Sequence, residues 1–249
     1  RKYLISTKKP EIVIVLENDE DGKLLLPITN SLPAHRPSHM KILISLIWAN
    51  NEIGTIQDVK TLYAIKKSVE SWAGPSGKCF LHLDAVQSLG HLPINIDINL
   101  NFVDFMSFSA HKFHGPRGVG ILYSKSGASI LSLQPLLHGG GQERNVRPGT
   151  ENVEQIVITT RVLEFILNDQ LSQRCQYMEK LRAVVLLGLE PFCKTGLVRI
   201  TGHPTDRLCH HISFCVRDTQ KEQIIRELGD KGICISGSSA CSTQNTVAS

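Results

Sequence analysis

A lysine between an apolar run and a glycine-rich turn is the residue of this sequence best suited to covalent chemistry. Lys112 lies between His111 and His114, after the apolar run 103–108 and before the glycines of the segment 115–120. A lysine at the end of a buried strand lies at the carboxyl edge of a sheet, where open α/β sheets bind ligands. If it is partly removed from water, its pKa falls and its amine becomes a nucleophile for a carbonyl compound. We predict that Lys112 is a catalytic residue; the alternative is a solvated lysine at a strand end.

Polar residues also follow two other apolar runs of the chain. Asn51 comes after the run 41–48, and Asp84 and Gln87 follow the next apolar run. The carboxyl ends of parallel strands share one edge of a sheet, so we expect these side chains to lie near Lys112. A carboxylate beside a pyridine nitrogen keeps that nitrogen protonated, and a pyridinium is the electron sink of pyridoxal 5′-phosphate (PLP) chemistry. Side chains of these types would suit a PLP site.

Each of these side chains has a possible role in such a site. Asp84 suits the pyridine nitrogen, while Asn51 and Gln87 can donate hydrogen bonds to the phenolic oxygen of the ring. Ser109 and His111 are candidates for phosphate binding, together with backbone N–H groups. Two local alternatives remain open, since Asp84 could cap a helix and Gln87 could lie on a solvated helix face.

The elements that would position these residues alternate along the chain. Apolar runs predict strands at 12–16, 41–48, 79–83, 103–108 and 119–123, and the spacing of Val59, Leu62, Ile65, Val69 and Trp72 predicts a helix after the second of them. This order favours βαβ units. We expect an α/β fold with a mostly parallel sheet flanked by helices.

The pattern of elements changes in the second half of the chain. Helical patterns occur at 153–166 and 181–189, followed by predicted strands at 197–200, 212–216 and 233–235 and a helix at 222–228. We predict a cofactor-binding domain at 1–150, connecting helices at 151–190, and a smaller α+β domain at 191–249.

Composition excludes several classes of protein. The 249 residues are 41% hydrophobic and 20% charged, and the net charge of +4 is carried by scattered basic residues, so we expect no nucleic-acid partner. The seven cysteines form no C-x-x-C pair, which favours reduced thiols. No apolar run is long enough to span a membrane, so we expect no membrane association and a cytoplasmic location.

Three other motifs were weighed and set aside. His138-Gly-Gly-Gly141 is typical of esterase oxyanion loops, but no G-x-S-x-G is present, and Gly74-Pro-Ser-Gly-Lys78 lacks the upstream glycine of an ATPase phosphate loop. Cys209, His210 and His211 are potential metal ligands. Adjacent residues of a strand face opposite ways, however, and no second pair has zinc-finger spacing, so we predict no metal site.

Six motifs, in order, resemble those of the cysteine desulfurase and selenocysteine lyase family. They are Asn50-Asn-Glu-Ile-Gly54, His82-Leu-Asp-Ala-Val-Gln-Ser88, Ser109-Ala-His-Lys112, Gly139-Gly-Gly-Gln-Glu-Arg144, Arg147-Pro-Gly-Thr-Glu-Asn152 and Gly237-Ser-Ser-Ala-Cys-Ser242. The resemblance covers nearly the whole chain. It implies the aspartate aminotransferase-like fold of PLP-dependent transferases, a PLP cofactor, and a homodimer that acts on a small amino acid.

The same resemblance assigns roles to individual residues. It implies that Lys112 binds the cofactor covalently, that Asp84 contacts the pyridine nitrogen, and that Thr150 reaches the phosphate of the other subunit. It also implies that Cys241 is the catalytic cysteine, on a mobile loop. A selenium or sulfur acceptor protein is a further implied partner.

The resemblance leaves the substrate open between two amino acids. The segment 144–152 and the connection 71–78 are more similar to selenocysteine lyases, so we favour release of selenium from L-selenocysteine to give L-alanine and selenide. The alternative is a cysteine desulfurase that gives L-alanine and an enzyme persulfide, with a mitochondrial location possible. The family's N-terminal ring-stacking histidine and its C-terminal substrate-binding arginine have no counterpart here. A fragment is therefore expected, and a truncated relative without turnover is a second alternative.

Overall fold

The computed structural model describes residues 14–28, 32–34, 41–125, 135–168 and 170–237. Its centre is a four-stranded sheet in which the strands follow one another in chain order: β1 Lys41–Ile47, β2 Lys78–Asp84, β3 Phe105–Ser109 and β4 Gly120–Ser124. The β1–β2 and β2–β3 pairs are parallel, and β4 is antiparallel to β3. The expected mostly parallel sheet is therefore confirmed.

One face of the sheet carries the hydrophobic core. Ile44, Leu81 and Met106 from the three parallel strands are buried there, and helix α1, Val59–Ala73, packs against the sheet. Its apolar positions recur at three- and four-residue intervals, which places them on a single helix face. Asp58 caps α1 by accepting a hydrogen bond from the Thr61 amide at 3.3 Å, so the helix begins where the sequence predicts.

A buried ion pair fixes α1 against the segment that leads into β3. Lys66 Nζ lies 2.6 Å from Asp104 Oδ2 and 2.6 Å from the Phe102 carbonyl oxygen. The same carboxylate oxygen accepts a hydrogen bond from the Leu81 amide at 2.8 Å. Removing one member of such a pair costs about 3–5 kcal/mol, because the other charge stays buried without its partner. This network therefore sets how β2 and β3 lie relative to α1.

The second half of the chain is mainly helical. It contains α2 Val153–Leu167, α3 Gln170–Lys194, the antiparallel pair β5 Val198–Ile200 and β6 Phe214–Val216, and α4 Lys221–Gly229. A β-bridge between Thr55 and Arg207 joins this half to the segment after β1. Across the described part of the chain, no helix has both the length and the apolarity required to cross a membrane.

Two expectations about the elements were wrong. Residues 14–16 form no strand, and residues 12 and 13 lie outside the described residues. Residues 233–235 are not a strand either; the Ile233 amide instead donates to the Leu228 carbonyl at 2.9 Å and closes the end of α4. The helical pattern at 181–189 is confirmed and lies inside α3, which begins earlier, at Gln170. Apolar runs become strands only beside a hydrogen-bonding partner, which periodicity does not reveal. The domain boundaries stay a prediction.

Candidate active site

Asp84 lies in the middle of the carboxyl edge of the sheet. It is the last residue of β2, paired with Ile47 of β1 on one side and with Ser107 of β3 on the other. Its carbonyl accepts a hydrogen bond from the Trp48 amide, and its carboxylate Oδ1 accepts one from the Val86 amide, both at 3.0 Å. The second contact is the local capping role left open above, although it closes a turn rather than a helix. The half-buried carboxylate keeps a second oxygen for another donor.

Lys112 lies one strand away, in a 3₁₀ turn that follows β3 directly. The turn, Ala110–Phe113, is anchored by the fully buried side chains of Ala110 and Phe113, and His114 ends it with a φ of 69°. Lys112 and His111 are exposed. The condition of partial removal from water is therefore not met by Lys112 in the chain by itself, because the anchors of the turn point inward and the lysine points outward.

Ser109 and His111 form a pair beside this lysine. Ser109 Oγ lies 2.9 Å from His111 Nδ1, across the junction between β3 and the turn. The two side chains, together with Lys112, present hydroxyl, imidazole and amine groups over a four-residue stretch. Such a set suits an anion next to a carbonyl compound, which is the chemistry of a phosphorylated aldehyde.

The loop after β2 holds the lysine turn in place. Gly90 has a φ of 79°, and a Cβ built on it would lie 2.8 Å from Phe113 Cβ, so only glycine fits against the turn. The next residue, His91, contacts the carbonyl oxygen of Lys112 through Nε2 at 3.2 Å. The pKa of His91 is lowered, mainly because the ring is partly buried. Sequence reasoning missed this support, because the two segments meet only in the folded chain.

His82 is a second residue that sequence reasoning missed. Its ring bridges two strands, with Nδ1 2.9 Å from Ser45 Oγ on β1 and Nε2 3.1 Å from Ser107 Oγ on β3. Burial, the largest cause, lowers the pKa of His82, and nearby Asp84 acts in the opposite direction. His82 and Asp84 are two residues apart in β2, so they share a face of the sheet. Strict alternation with Leu81 and Leu83 is the signal that pointed to this polar face.

The remaining candidate site residues are Asn51, Gln87, Thr150 and Cys241. Asn51 is exposed in the turn after β1, where its carbonyl oxygen lies 3.2 Å from His211 Nε2. Gln87 is half-buried in the turn after Asp84. Thr150 is exposed, and no contact among the described residues joins it to Asp84 or Lys112. Cys241 lies outside the described residues.

Thr150 follows the loop that starts at Gly139. This loop includes a single helical turn, Gln142–Asn145, in which Glu143 and Arg144 have positive φ values. Gln142 Oε1 accepts a hydrogen bond from the Gly149 amide at 3.1 Å, which closes the loop on itself. The loop is largely exposed in this chain.

Comparison with known proteins identifies the fold, and the chain belongs to the class-V aminotransferase family. A sequence profile described as "Aminotransferase class-V" matches residues 5–248. The family is one of PLP-dependent enzymes, so the expectation of PLP is confirmed at the level of the family.

Two relatives of the chain are named cysteine desulfurases. A protein named cysteine desulfurase IscS from Methanosarcina thermophila is 40% identical over 204 residues, which are 82% of this chain and 46% of that protein. A cysteine desulfurase from Cereibacter sphaeroides is 34% identical over 225 residues, 90% of this chain and 52% of the relative. The chain thus spans about half the length of these relatives.

Solved structures give the same fold. A structure titled "NIFS-LIKE PROTEIN" has a TM-score of 0.73 and 34% identity, covering 89% of this chain and 55% of the other. The NifS-like protein from Rickettsia africae has a TM-score of 0.72 and 29% identity, covering 89% and 56%. The predicted PLP-dependent transferase fold is confirmed.

Proposed function

We propose that the full-length protein is a PLP-dependent cysteine desulfurase, which removes sulfur from L-cysteine and releases L-alanine. The observation that carries the proposal is the meeting of Asp84 and the Lys112 turn on neighbouring strand ends. Relatives that share 34–40% of their residues with the chain are named cysteine desulfurases, which supports cysteine as the substrate. The preference for selenocysteine drawn from the sequence is reversed on this ground.

The side chains at the edge fit the cofactor. Lys112 Nζ is exposed and can bond to an aldehyde, and the free oxygen of Asp84 can accept a hydrogen bond from a ring nitrogen. Ser109 and His111 would bind the phosphate. Asn51 and Gln87 would donate to the ring oxygen, and Thr150 would reach the phosphate held by a second subunit.

Asp84 and Lys112 have distinct roles in the reaction. When bound, PLP supplies a pyridinium that accepts the electrons freed as the substrate Cα–H bond breaks. Asp84 keeps a proton on the ring nitrogen through its negative charge. Lys112 Nζ, once free, takes the Cα proton and holds it for return to the product. The exposed position of Lys112 allows this exchange between bound and free amine.

Sulfur transfer requires a thiolate, and the cysteines of the chain differ in this respect. Burial raises the pKa of Cys79 to about 11, so that thiol stays protonated at neutral pH. Cys241 is followed and preceded by small residues, and we assign it the role of nucleophile. Its thiolate sulfur would bond to the substrate sulfur as the Cβ–S bond breaks, and the electron pair of that bond would stay on Cβ, which takes up a proton to give alanine. The terminal sulfur of the resulting Cys241 persulfide would then pass to an acceptor protein.

Selenocysteine is the second candidate substrate. The segment Arg144–Asn152, with Asn145 and Pro148, is more similar to selenocysteine lyases, and it lies in the exposed loop that ends at Thr150. Parallel measurement of alanine release from L-cysteine and L-selenocysteine separates the two. A ratio of kcat/KM values strongly in favour of selenocysteine would restore the lyase assignment.

The proposal is tested by replacing the lysine in the full-length protein. We expect Lys112→Ala to reduce alanine release from L-cysteine to background and to abolish the pyridoxyl peptide recovered after borohydride reduction. Lys60→Ala, which changes an exposed lysine of α1, is the matched control and should retain both. A pyridoxyl group on another lysine would overturn the assignment. Wild-type protein that binds PLP but releases no alanine would favour the relative without turnover.

A further inference from the structure

A second group of reactive side chains lies behind the lysine turn. His91, Cys209 and His210 each place one ligand atom so that all three atoms lie within 4.8 Å of one another. Cys209 Sγ is 4.0 Å from His210 Nδ1, and the rings of His91 and His210 have centroids 4.3 Å apart. The proposed desulfurase reaction uses none of these groups.

The backbone explains how neighbouring residues reach the same point. Cys209 and His210 are adjacent, and in a strand adjacent side chains would face opposite ways, the ground on which no metal site was predicted. Both residues instead lie in a turn, closed by the His211 amide, which donates to the Leu208 carbonyl at 3.1 Å. A turn allows both side chains to face one side, and the third ligand comes from the loop after β2. The premise of the dismissal was therefore wrong.

A fourth ligand is available on helix α3. Cys175 Sγ lies 3.4 Å from the carbonyl oxygen of His91, and the pKa of Cys209 is raised by burial and, next, by the neighbouring Cys175 thiol. The four side chains are thus two thiols and two imidazoles drawn from three segments of the chain. Two sulfur and two nitrogen ligands in a closed group are typical of structural zinc sites.

We propose that His91, Cys175, Cys209 and His210 bind a Zn²⁺ ion that joins α3 and the 209–210 turn to the loop behind Lys112. Bond lengths of about 2.0–2.3 Å place tetrahedral ligand atoms about 3.3–3.8 Å apart, so the ligand atoms of His91, Cys209 and His210 must approach by roughly 1 Å and Cys175 Sγ must turn toward them as the fourth ligand. Rotation of the cysteine and histidine side chains is sufficient for this change.

The hydrogen bonds of His91 suit a ligand. A carbonyl oxygen only accepts, so Nε2 carries the hydrogen in the 3.2 Å contact with the Lys112 carbonyl, and Nδ1 presents its lone pair. Metal-bound histidines usually donate their other N–H to a carbonyl or carboxylate in this way. Arg174 Nη2 lies 3.5 Å from His91 Nδ1 but also donates to the Gly90 carbonyl at 3.1 Å, so it keeps a partner when the ion binds.

Charge also balances at this site. Cys209 is buried and Cys175 is half-buried, so two thiolates at this place need a compensating positive charge. Zn²⁺ displaces the protons of Cys175 and Cys209, releases both to solvent, and is neutralised by the two thiolates. The resulting group carries no net charge beside the Arg174 guanidinium.

Cobalt is the spectroscopic probe for this proposal. We expect Co²⁺ added to the full-length protein after metal removal to give cobalt–thiolate absorption in difference spectra, and Zn²⁺ to displace it at one ion per chain. Cys209→Ser and His210→Asn should each weaken Zn²⁺ binding by at least about tenfold in calorimetry. Cys215→Ser changes an exposed cysteine of the same region and should bind as the wild type does.

Each result decides the proposal. Circular dichroism shows whether the variants fold, and if they do not, the wild-type cobalt spectrum alone decides. Absence of cobalt–thiolate absorption, equal Zn²⁺ affinity in all folded variants, or a Cys175–Cys209 disulfide in the purified protein would overturn it. Zinc binding does not depend on the desulfurase assignment, because its readout is metal affinity rather than turnover.

Discussion

At the scale of single residues, the charge of Asp84 is what the proposed chemistry needs from it. We expect Asp84→Asn in the full-length protein to lower kcat for alanine release by roughly 10²-fold, the loss typical when one preorganised electrostatic contact is removed. The amide keeps the shape and can still accept from the Val86 amide, so the fold should persist. Asp97→Asn, on the exposed surface, is the control. Near-normal turnover of Asp84→Asn would show that Asp84 has only its local role, as the acceptor for the Val86 amide.

His82 makes stability depend on pH in a defined direction. Burial lowers its pKa in the folded state, so below the ordinary histidine pKa of about 6.5 the unfolded chain binds more protons than the folded chain does. The contribution of His82 to the free energy of unfolding should therefore be fully present above about pH 6.5 and should decrease as the pH falls below that value. His82→Asn cannot titrate, and its amide can still bond to Ser45, the partner of Nδ1, although it is too short to reach Ser107.

Urea unfolding at neutral and mildly acidic pH measures this effect. We expect His82→Asn to lose less stability on acidification than the wild type does. His138→Asn, at an exposed histidine, should follow the wild type. An equal loss in all three proteins would show that His82 contributes nothing to the acid sensitivity.

At the scale of elements, the junction between the loop after β2 and the lysine turn is the critical contact. Gly90→Ala places a methyl group 2.8 Å from Phe113 Cβ and imposes a positive φ on alanine. We expect it to destabilise the protein by more than about 1 kcal/mol and to weaken PLP binding, because the turn that carries Lys112 must shift.

Helix α3 offers a matched glycine for comparison. A Cβ at Gly188 would have no atom within 4 Å, so Gly188→Ala should stabilise the helix by about 0.5–1 kcal/mol. Thermal unfolding measures the stability of both variants, and titration followed by absorbance measures their affinity for PLP. Equal stability of the Gly90 and Gly188 variants would show that the lysine turn does not depend on close packing against Gly90.

At the scale of the whole molecule, apolar side chains of the long helices remain exposed. Val157 and Phe165 on α2 and Val184 and Leu187 on α3 are each more than half exposed in this chain. Such a surface marks an interaction face. We predict that the full-length protein is a homodimer, with the loop that ends at Thr150 contributing to the partner's phosphate site.

Light scattering tests the dimer, and a threonine variant tests the shared site. The mass should be twice that of one chain, and Thr150→Ala should lower PLP affinity by about tenfold without dissociating the dimer, in line with the loss of one hydrogen bond to a charged group. Thr160→Ala, on the exposed face of α2, is the control. A monomer that still binds PLP tightly would contradict the shared-site prediction.

Much of the candidate site followed from the sequence by itself. The apolar runs that end at Asp84 and Ser109 marked parallel strands, and parallel strands place their carboxyl ends on one edge. That rule alone places Asp84 near Ser109, His111 and Lys112. The spacing of apolar residues in 59–72 likewise predicted α1, since burial of one helix face depends on local order alone.

Only the tertiary structure decided which distant groups meet. The contact of His91 with the Lys112 carbonyl, the bridge from His82 to Ser45 and Ser107, and the turn that brings Cys209 to His91 all join segments far apart in the chain. Local periodicity determines which way a side chain faces, but it carries no information about which distant segment of the chain that side chain will contact. The same reason explains why the run 233–235 closes a helix instead of forming a strand: its hydrogen-bonding partner is set by the fold and not by its own residues.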